Sequence, residues 1–187
     1  YNPSGSPTLT DCTFTNNTAT FGGGVYNYLS STRLINWTFT VNKAPSDACG
    51  MWNDERSSPT LTYCSLTSNT YIYSGGGLRN RNRSNPKLTN CTFTNNSVDG
   101  EGGAIWASGV CVLTMTTCTV EENEAALSGG GVLIDTVSTL VGFSTTFHLN
   151  TSGADGGGRP PSEHAKALVI ETSPTAGTPP ARFHAAL

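Results

Sequence analysis

The stretch Cys91-Thr92-Phe93-Thr94-Asn95-Asn96-Ser97-Val98-Asp99-Gly100-Glu101-Gly102-Gly103-Ala104-Ile105 holds two landmarks. One is an apolar residue followed three positions later by asparagine, Phe93 to Asn96. The other is the glycine cluster that leads into Ile105. Working outward, the first landmark recurs as Phe14 to Asn17, Phe39 to Asn42, Leu66 to Asn69, Val120 to Asn123 and Phe147 to Asn150. The second recurs at Gly22-Gly23-Gly24-Val25, Gly50-Met51, Gly75-Gly76-Gly77-Leu78, Gly129-Gly130-Gly131-Val132 and Gly156-Gly157-Gly158-Arg159. The repeat is 27 residues over most of the chain and one or two residues shorter at its start. A fixed period of this length marks a solenoid, whose units are too short to bury an apolar face alone and must stack.

The repeats are rich in Thr, Gly, Asn and β-branched or aromatic residues, and apolar positions alternate with small polar ones, as in Cys64-Ser65-Leu66-Thr67. That composition and period-two pattern predict strands with one wet face, not helices. Successive parallel strands stack about 4.8 Å apart. The expected fold is therefore all-β, a parallel β-helix of about six coils of about 27 residues over residues 1–159. Leu9, Leu34, Leu61 and Leu88 form one internal stack; Phe14, Phe39, Leu66, Phe93, Val120 and Phe147 form another. Asn and Gly are expected at the corners because both accept left-handed backbone angles, and the stacked asparagines can bond along the axis.

Phe14-Thr15-Asn16-Asn17 with Gly23-Gly24-Val25, and Phe93-Thr94-Asn95-Asn96 with Gly102-Gly103-Ala104-Ile105, resemble the FxxN and GGA[ILV] repeat signature of the polymorphic outer-membrane proteins. That resemblance implies a right-handed parallel β-helix belonging to an autotransporter passenger. The general right-handedness of parallel crossovers agrees. Leu66 and Val120 depart from the signature Phe, Cys49-Gly50-Met51 from the Gly-Gly pair, and Arg159 from the apolar position.

The formal net charge is −3. With no basic cluster visible along the chain, nucleic acid is not an expected partner, and no apolar run reaches the roughly 18 to 20 residues of a membrane span. The composition suits a secreted or cell-surface (outer-membrane) protein. The opening at Tyr1, almost inside a repeat, suggests a piece of a longer passenger. Residues 160–187 are Pro, Ala and Thr-rich and carry neither landmark, which reads as a flexible tail or a short capping helix near Ser162 to Glu171.

Cys12, Cys64, Cys91 and Cys118 share one column with Trp37 and Thr145, an interior position where free thiols act as small hydrophobes. Cys49 and Cys111 lie off it, and their disulfide state is open. No CxxC pair indicates zinc. The glycine triplets lack the Lys-Ser or Lys-Thr of a phosphate loop. Histidine occurs only at His148, His164 and His184, so no catalytic residue is assigned and no cofactor is expected. Glu121 between Thr94 and His148 is the one acid/base candidate, and Asp99, Glu101, Glu122 and Glu124, with Asp155 beyond, are a weak candidate for calcium. Sequons stand at Asn16, Asn36, Asn82, Asn90, Asn95 and Asn150.

Two outward stripes carry the binding expectations. If Val25, Met51, Leu78, Ile105 and Val132 point inward, then Tyr26, Trp52, Arg79, Trp106 and Leu133 point outward as a ladder. Tyr28, Asp54, Arg81, Ser108 and Asp135 edge it. This is a candidate platform for a glycan or for a protein of a host or neighbouring cell, unless it is only a cation–π stack. Thr13, Thr15, Thr38, Thr40, Thr67, Thr92 and Thr94, with Ser65, form a threonine face like that of ice-binding β-helices, interrupted by Glu121 and His148. The expected function is a non-catalytic surface or secreted β-helix segment, in adhesion or as a passenger stalk. The alternatives are a polysaccharide-active β-helix enzyme, of lyase or glycoside hydrolase type, and an ice-binding protein.

Overall fold

The computed structural model describes residues 1–44, 50–135, 137–153 and 166–167. Successive coils stack their strands into four parallel sheets that run along the axis, the first coil lacking a strand in the fourth. The first sheet stacks Asn2–Pro3, Val25–Tyr28, Met51–Asp54, Leu78–Asn80, Ile105–Ala107 and Val132–Ile134. The second stacks Thr8–Thr10, Arg33–Ile35, Thr60–Thr62, Lys87–Thr89, Val112–Thr116 and Thr139–Phe143. The third stacks Thr13–Thr15, Thr38–Thr40, Ser65–Thr67, Thr92–Thr94, Thr119–Glu121 and Thr146–His148. The fourth is narrow, from Lys43–Ala44 through Thr70–Tyr71, Ser97–Val98 and Glu124–Ala125 to Thr151–Ser152.

Register follows the sequence landmarks. Phe14, Phe39, Leu66, Phe93, Val120 and Phe147 pair one above another, and the leucine column continues from Leu88 through Met115 to Gly142. Phe39, Leu66, Phe93 and Val120 are wholly buried. At roughly 1.5–3 kcal/mol for each fully buried large side chain, these two columns and the buried Met51, Leu78 and Ile105 of the first sheet make up much of the core. A separate small cluster, Ala44, Tyr71, Val98 and Ala125, closes the fourth sheet.

The FxxN spacing acquires a physical meaning here. The Nδ2 of Asn69 donates to Asn96 Oδ1 at 3.0 Å and to the Phe39 carbonyl of the coil before at 3.1 Å, while Asn69 N donates to the same Asn96 Oδ1 at 3.1 Å. Asn96 repeats this toward Asn123 and Leu66, and Asn123 toward Asn150 and Phe93. The apolar residue three positions earlier thus offers its side chain to the core and its carbonyl to the next asparagine. The glycine pair has a steric cause: a Cβ on Gly103 would run into the carbonyls of Gly130 and Glu124 in the packed corner.

The corners differ from expectation in one respect. The left-handed residue is not the ladder asparagine but the one before it: Asn16, Val41, Ser68, Asn95, Glu122 and Leu149, with φ between 48° and 56°. A second such column, Asp11, Asn36, Tyr63, Asn90, Thr117 and Ser144, precedes the cysteine column. The ladder asparagine must keep its side chain pointing inward, so its neighbour makes the bend. Asn is tolerated there; the β-branched Val41 is strained.

Cys64, Cys91 and Cys118 are buried free thiols in their column, whereas Cys12, at the open first coil, is exposed. Between Cys118 and Cys64 and away from water, the Cys91 thiol is held well above its ordinary pKa. Cys111 is also free and buried, and burial raises its pKa. Cys49 lies outside the described residues, as do Asp155, Arg159 and the tail apart from Lys166–Ala167. Those two residues pair in parallel with Thr139 and Leu140 as a strand; the rest of the segment expected as a flexible tail or a short capping helix lies outside the described residues.

Three substitutions test this account by urea denaturation. Asn96→Ala leaves the Asn69 amide groups unsatisfied in the interior and should cost about 3 kcal/mol or more, since each buried orphan costs about 1–3 kcal/mol. Asn17→Ala, in the exposed first coil, should cost less than half as much. Val41→Asn should gain about 1 kcal/mol by relieving a left-handed β-branched residue.

Candidate functional site

The outward ladder of the first sheet forms in the expected register: Tyr26, Trp52, Arg79, Trp106 and Leu133 stack coil upon coil. Its rings lie against one another. Tyr26 and Trp52 are stacked at 4.5 Å between centroids with planes 19° apart, and Tyr1 extends the stack at 5.1 Å from Tyr26. The Arg79 guanidinium sits between the two indoles, 5.6 Å from the Trp52 ring and 4.9 Å from the Trp106 ring. Phe21 packs on Trp52 from the side at 5.2 Å.

This packing corrects the picture of an open aromatic platform. Trp52 is only 5 % exposed and Asp54 only 8 %, although both project away from the core; neighbouring side chains cover them. Mutual stacking uses the ring faces, so what remains at the surface is largely ring edges. Burial, and then Asp54, push the Tyr26 hydroxyl up to about pKa 12. Burial, with Arg81 second, lowers Arg79 to about 10.

The inward residue between these outward positions escaped the sequence reading. Asn27, Asn53 and Asn80 are fully buried and form a second amide ladder, with Nδ2 to Oδ1 distances of 2.8 and 2.9 Å. It ends where Ala107 succeeds Asn80, leaving Asn80 Nδ2 without a partner among the described residues. The alternation of Tyr26-Asn27-Tyr28 with Trp52-Asn53-Asp54 could have revealed it.

Stacking brings Arg56 to the run Arg81-Asn82-Arg83 and to Lys87, a basic cluster where none was expected. Arg56 N donates to the Asn82 carbonyl at 2.9 Å, which sets Arg56 in register with Arg83 of the next coil. Arg56, Arg83 and Lys87 are exposed and Arg81 is half-exposed. The local carboxylates, Asp54 and Glu55, are held by the Asn82 amide at 2.9 and 3.0 Å. Beside them runs an outer hydroxyl and amide column, Ser6, Ser31, Ser58 and Asn85, linked by bonds of 3.0–3.2 Å to successive backbone amides.

The threonine face lies in the third sheet as expected, with Thr13, Thr38, Ser65 and Thr92 in one column and Thr15, Thr40, Thr67 and Thr94 in the other. Glu121 and His148 continue the second column. Thr60, Thr62, Thr89, Thr114 and Thr116 add hydroxyls on the adjoining second sheet, interrupted by Arg33 and Lys87. The four candidate calcium ligands do not converge: Glu124 stacks on Ser97, two residues short of Asp99. Glu122 is aligned with Asn95 at the preceding corner. Among the described residues no group of three potential ligands comes together, and no helix is long and apolar enough to cross a membrane.

The stack is open to a direct check. Arg79→Gln removes the cation between two indoles and should destabilise the chain by about 1–2 kcal/mol, with a red shift in tryptophan emission as water reaches Trp52 and Trp106. Arg79→Lys should recover only part of the loss, because an ammonium lacks the planar stacking surface. An unchanged emission maximum in Arg79→Gln would show that the guanidinium does not hold the stack.

No curated protein and no solved structure matches the chain. A family model described as the right handed beta helix region matches residues 1–111. These residues hold the first coils, the asparagine ladder from Asn17 to Asn96, and Tyr26, Trp52, Arg79 and Trp106. With more than half of its length matched and its strands wound as a parallel solenoid, the chain belongs to the right-handed β-helix family.

Proposed function

We propose that the chain is a segment of a non-catalytic surface or secreted β-helix, a passenger-type rod of the polymorphic outer-membrane protein kind that serves in adhesion. The observation that carries this reading is the unbroken asparagine ladder from Asn17 to Asn150. A column of amides in constant register, buried from Asn42 to Asn123, joins each coil to the next, which suits a stiff element that holds a surface at a distance. Among the described residues, the first and last positions of FxxN and the glycines of GGA are engaged in that scaffold, so the outward residues are the ones available to partners. Those partners would be glycans or proteins of a host or neighbouring cell surface.

Scaffold and site remain separate arguments, and the threonine face supports a second reading. Its two hydroxyl columns run in register over four coils, an arrangement that suits ordered water.

Beads coated with the chain should attach to cultured cells more strongly than beads coated with heat-denatured chain, and enzymatic removal of surface glycans should reduce attachment if glycans are the partner. Equal attachment of both coatings would eliminate adhesion and leave a spacer. Thermal hysteresis in the same protein, abolished by Thr67→Tyr, would favour the ice-binding reading instead.

A further inference from the structure

We infer that the basic corner formed by Arg56, Arg81, Arg83 and Lys87 is a binding site for an acidic polysaccharide, its carboxylate or sulfate groups held by the guanidinium groups. This rests on the proposed role as a binding rod and names the ligand class that the rod takes.

Charge segregation is the first observation. The chain as a whole is acidic, yet five of its ten basic residues, Arg56, Arg79, Arg81, Arg83 and Lys87, fall within residues 56–87. Asp99, Glu101, Glu121, Glu122 and Glu124 belong to the third and fourth sheets and the turns beside them, while Asp135 stands in the column of Arg81 two coils further on. In-register stacking sets Arg56 about 4.8 Å from Arg83 along the axis, and Arg81 lies two residues from Arg83 on the same coil. A linear polymer lying along this corner meets guanidinium groups on adjacent coils, each able to take a carboxylate or sulfate in two parallel hydrogen bonds.

The second observation is how the local carboxylates are satisfied. Asn82, not an arginine, binds Asp54 and Glu55. Asp54 and Glu55 keep their negative charge beside the corner, but their carboxylates bond to the Asn82 amide, so the guanidinium N–H donors of Arg56, Arg81 and Arg83 stay open to a ligand.

The third concerns ring faces. Base stacking on open aromatic faces is the main source of affinity for single-stranded nucleic acid. Here Tyr26, Trp52 and Trp106 spend their faces on one another and on Arg79. Recognition by this corner is therefore ionic and by hydrogen bonds, with Ser31, Ser58 and Asn85 placed beside the arginines for sugar hydroxyls.

Affinity electrophoresis of the full chain through gels containing polygalacturonate, heparin, dextran or a single-stranded oligonucleotide tests this. Retardation by one of the acidic polysaccharides and not by dextran, weakening with added salt, is expected. Arg56→Gln and Arg83→Gln should each weaken binding about tenfold, near the worth of one charge-assisted hydrogen bond, while Lys43→Gln, on the fourth sheet, should leave it within about twofold. Unchanged thermal melting of the variants shows that the fold is intact. Equal retardation by dextran, equal retardation by the oligonucleotide, or equal loss in Lys43→Gln overturns the assignment. No retardation by either acidic polymer, with bead attachment intact, overturns the ligand class and leaves the rod's adhesive role standing; loss of both overturns the two together.

Discussion

Every coil of this protein must present the same amide at the same height. The Oδ1 of each interior ladder asparagine accepts two hydrogen bonds from the coil before it, one from a backbone N–H and one from a side-chain amide, while its own Nδ2 donates forward to the next asparagine and back to a carbonyl. Such a group is tolerated in an apolar interior only because all its bonds are made. A shift of one residue in any coil would turn the asparagine outward and strand its partners. The Phe column, the glycine corner and the left-handed residue before each asparagine all follow from holding that register.

The architecture was legible because this constraint repeats. Phe93, Asn96 and Gly103 each have a copy in the other coils, so a spacing rule visible in one coil could be checked against the rest. Less legible were features fixed by a single coil's neighbours. Trp52 lies in an outward position, and nothing in the alternation indicates that Phe21, Tyr26 and Arg79 cover it. Asn27, Asn53 and Asn80 were overlooked because they sit between more conspicuous aromatic and charged residues. The left-handed bend was assigned one position too late, since Asn16 and Asn17 are both asparagines and only the backbone distinguishes their roles.

The surface shows the same division. Arg56 and Arg83 are 27 residues apart in the chain and consecutive in space, so a search for runs of basic residues passes over their pairing. The acidic residues illustrate the reverse: Asp99 and Glu124 are close in a schematic coil, yet the register sets Glu124 on Ser97. In a solenoid the meaningful neighbour of a residue is the one a full turn away, and an error of two positions decides whether charges converge.

The coil corners are not equal. Between the second and third sheets, and between the third and fourth, two residues separate the strands, 36–37 and 41–42 in one coil and 63–64 and 68–69 in the next. The corner after the first sheet has four residues, 29–32, in one coil and five, 55–59, in the next, with no loss of register on either side. That corner is the elastic joint of the design. Insertions among its exposed residues, such as Leu29, Ser31 and Arg56, leave the asparagine ladder from Asn17 to Asn150 untouched, so descendants of this sequence can lengthen or recharge that rim, and new specificities should arise at the joint while the rest of the coil is held by its own hydrogen bonds.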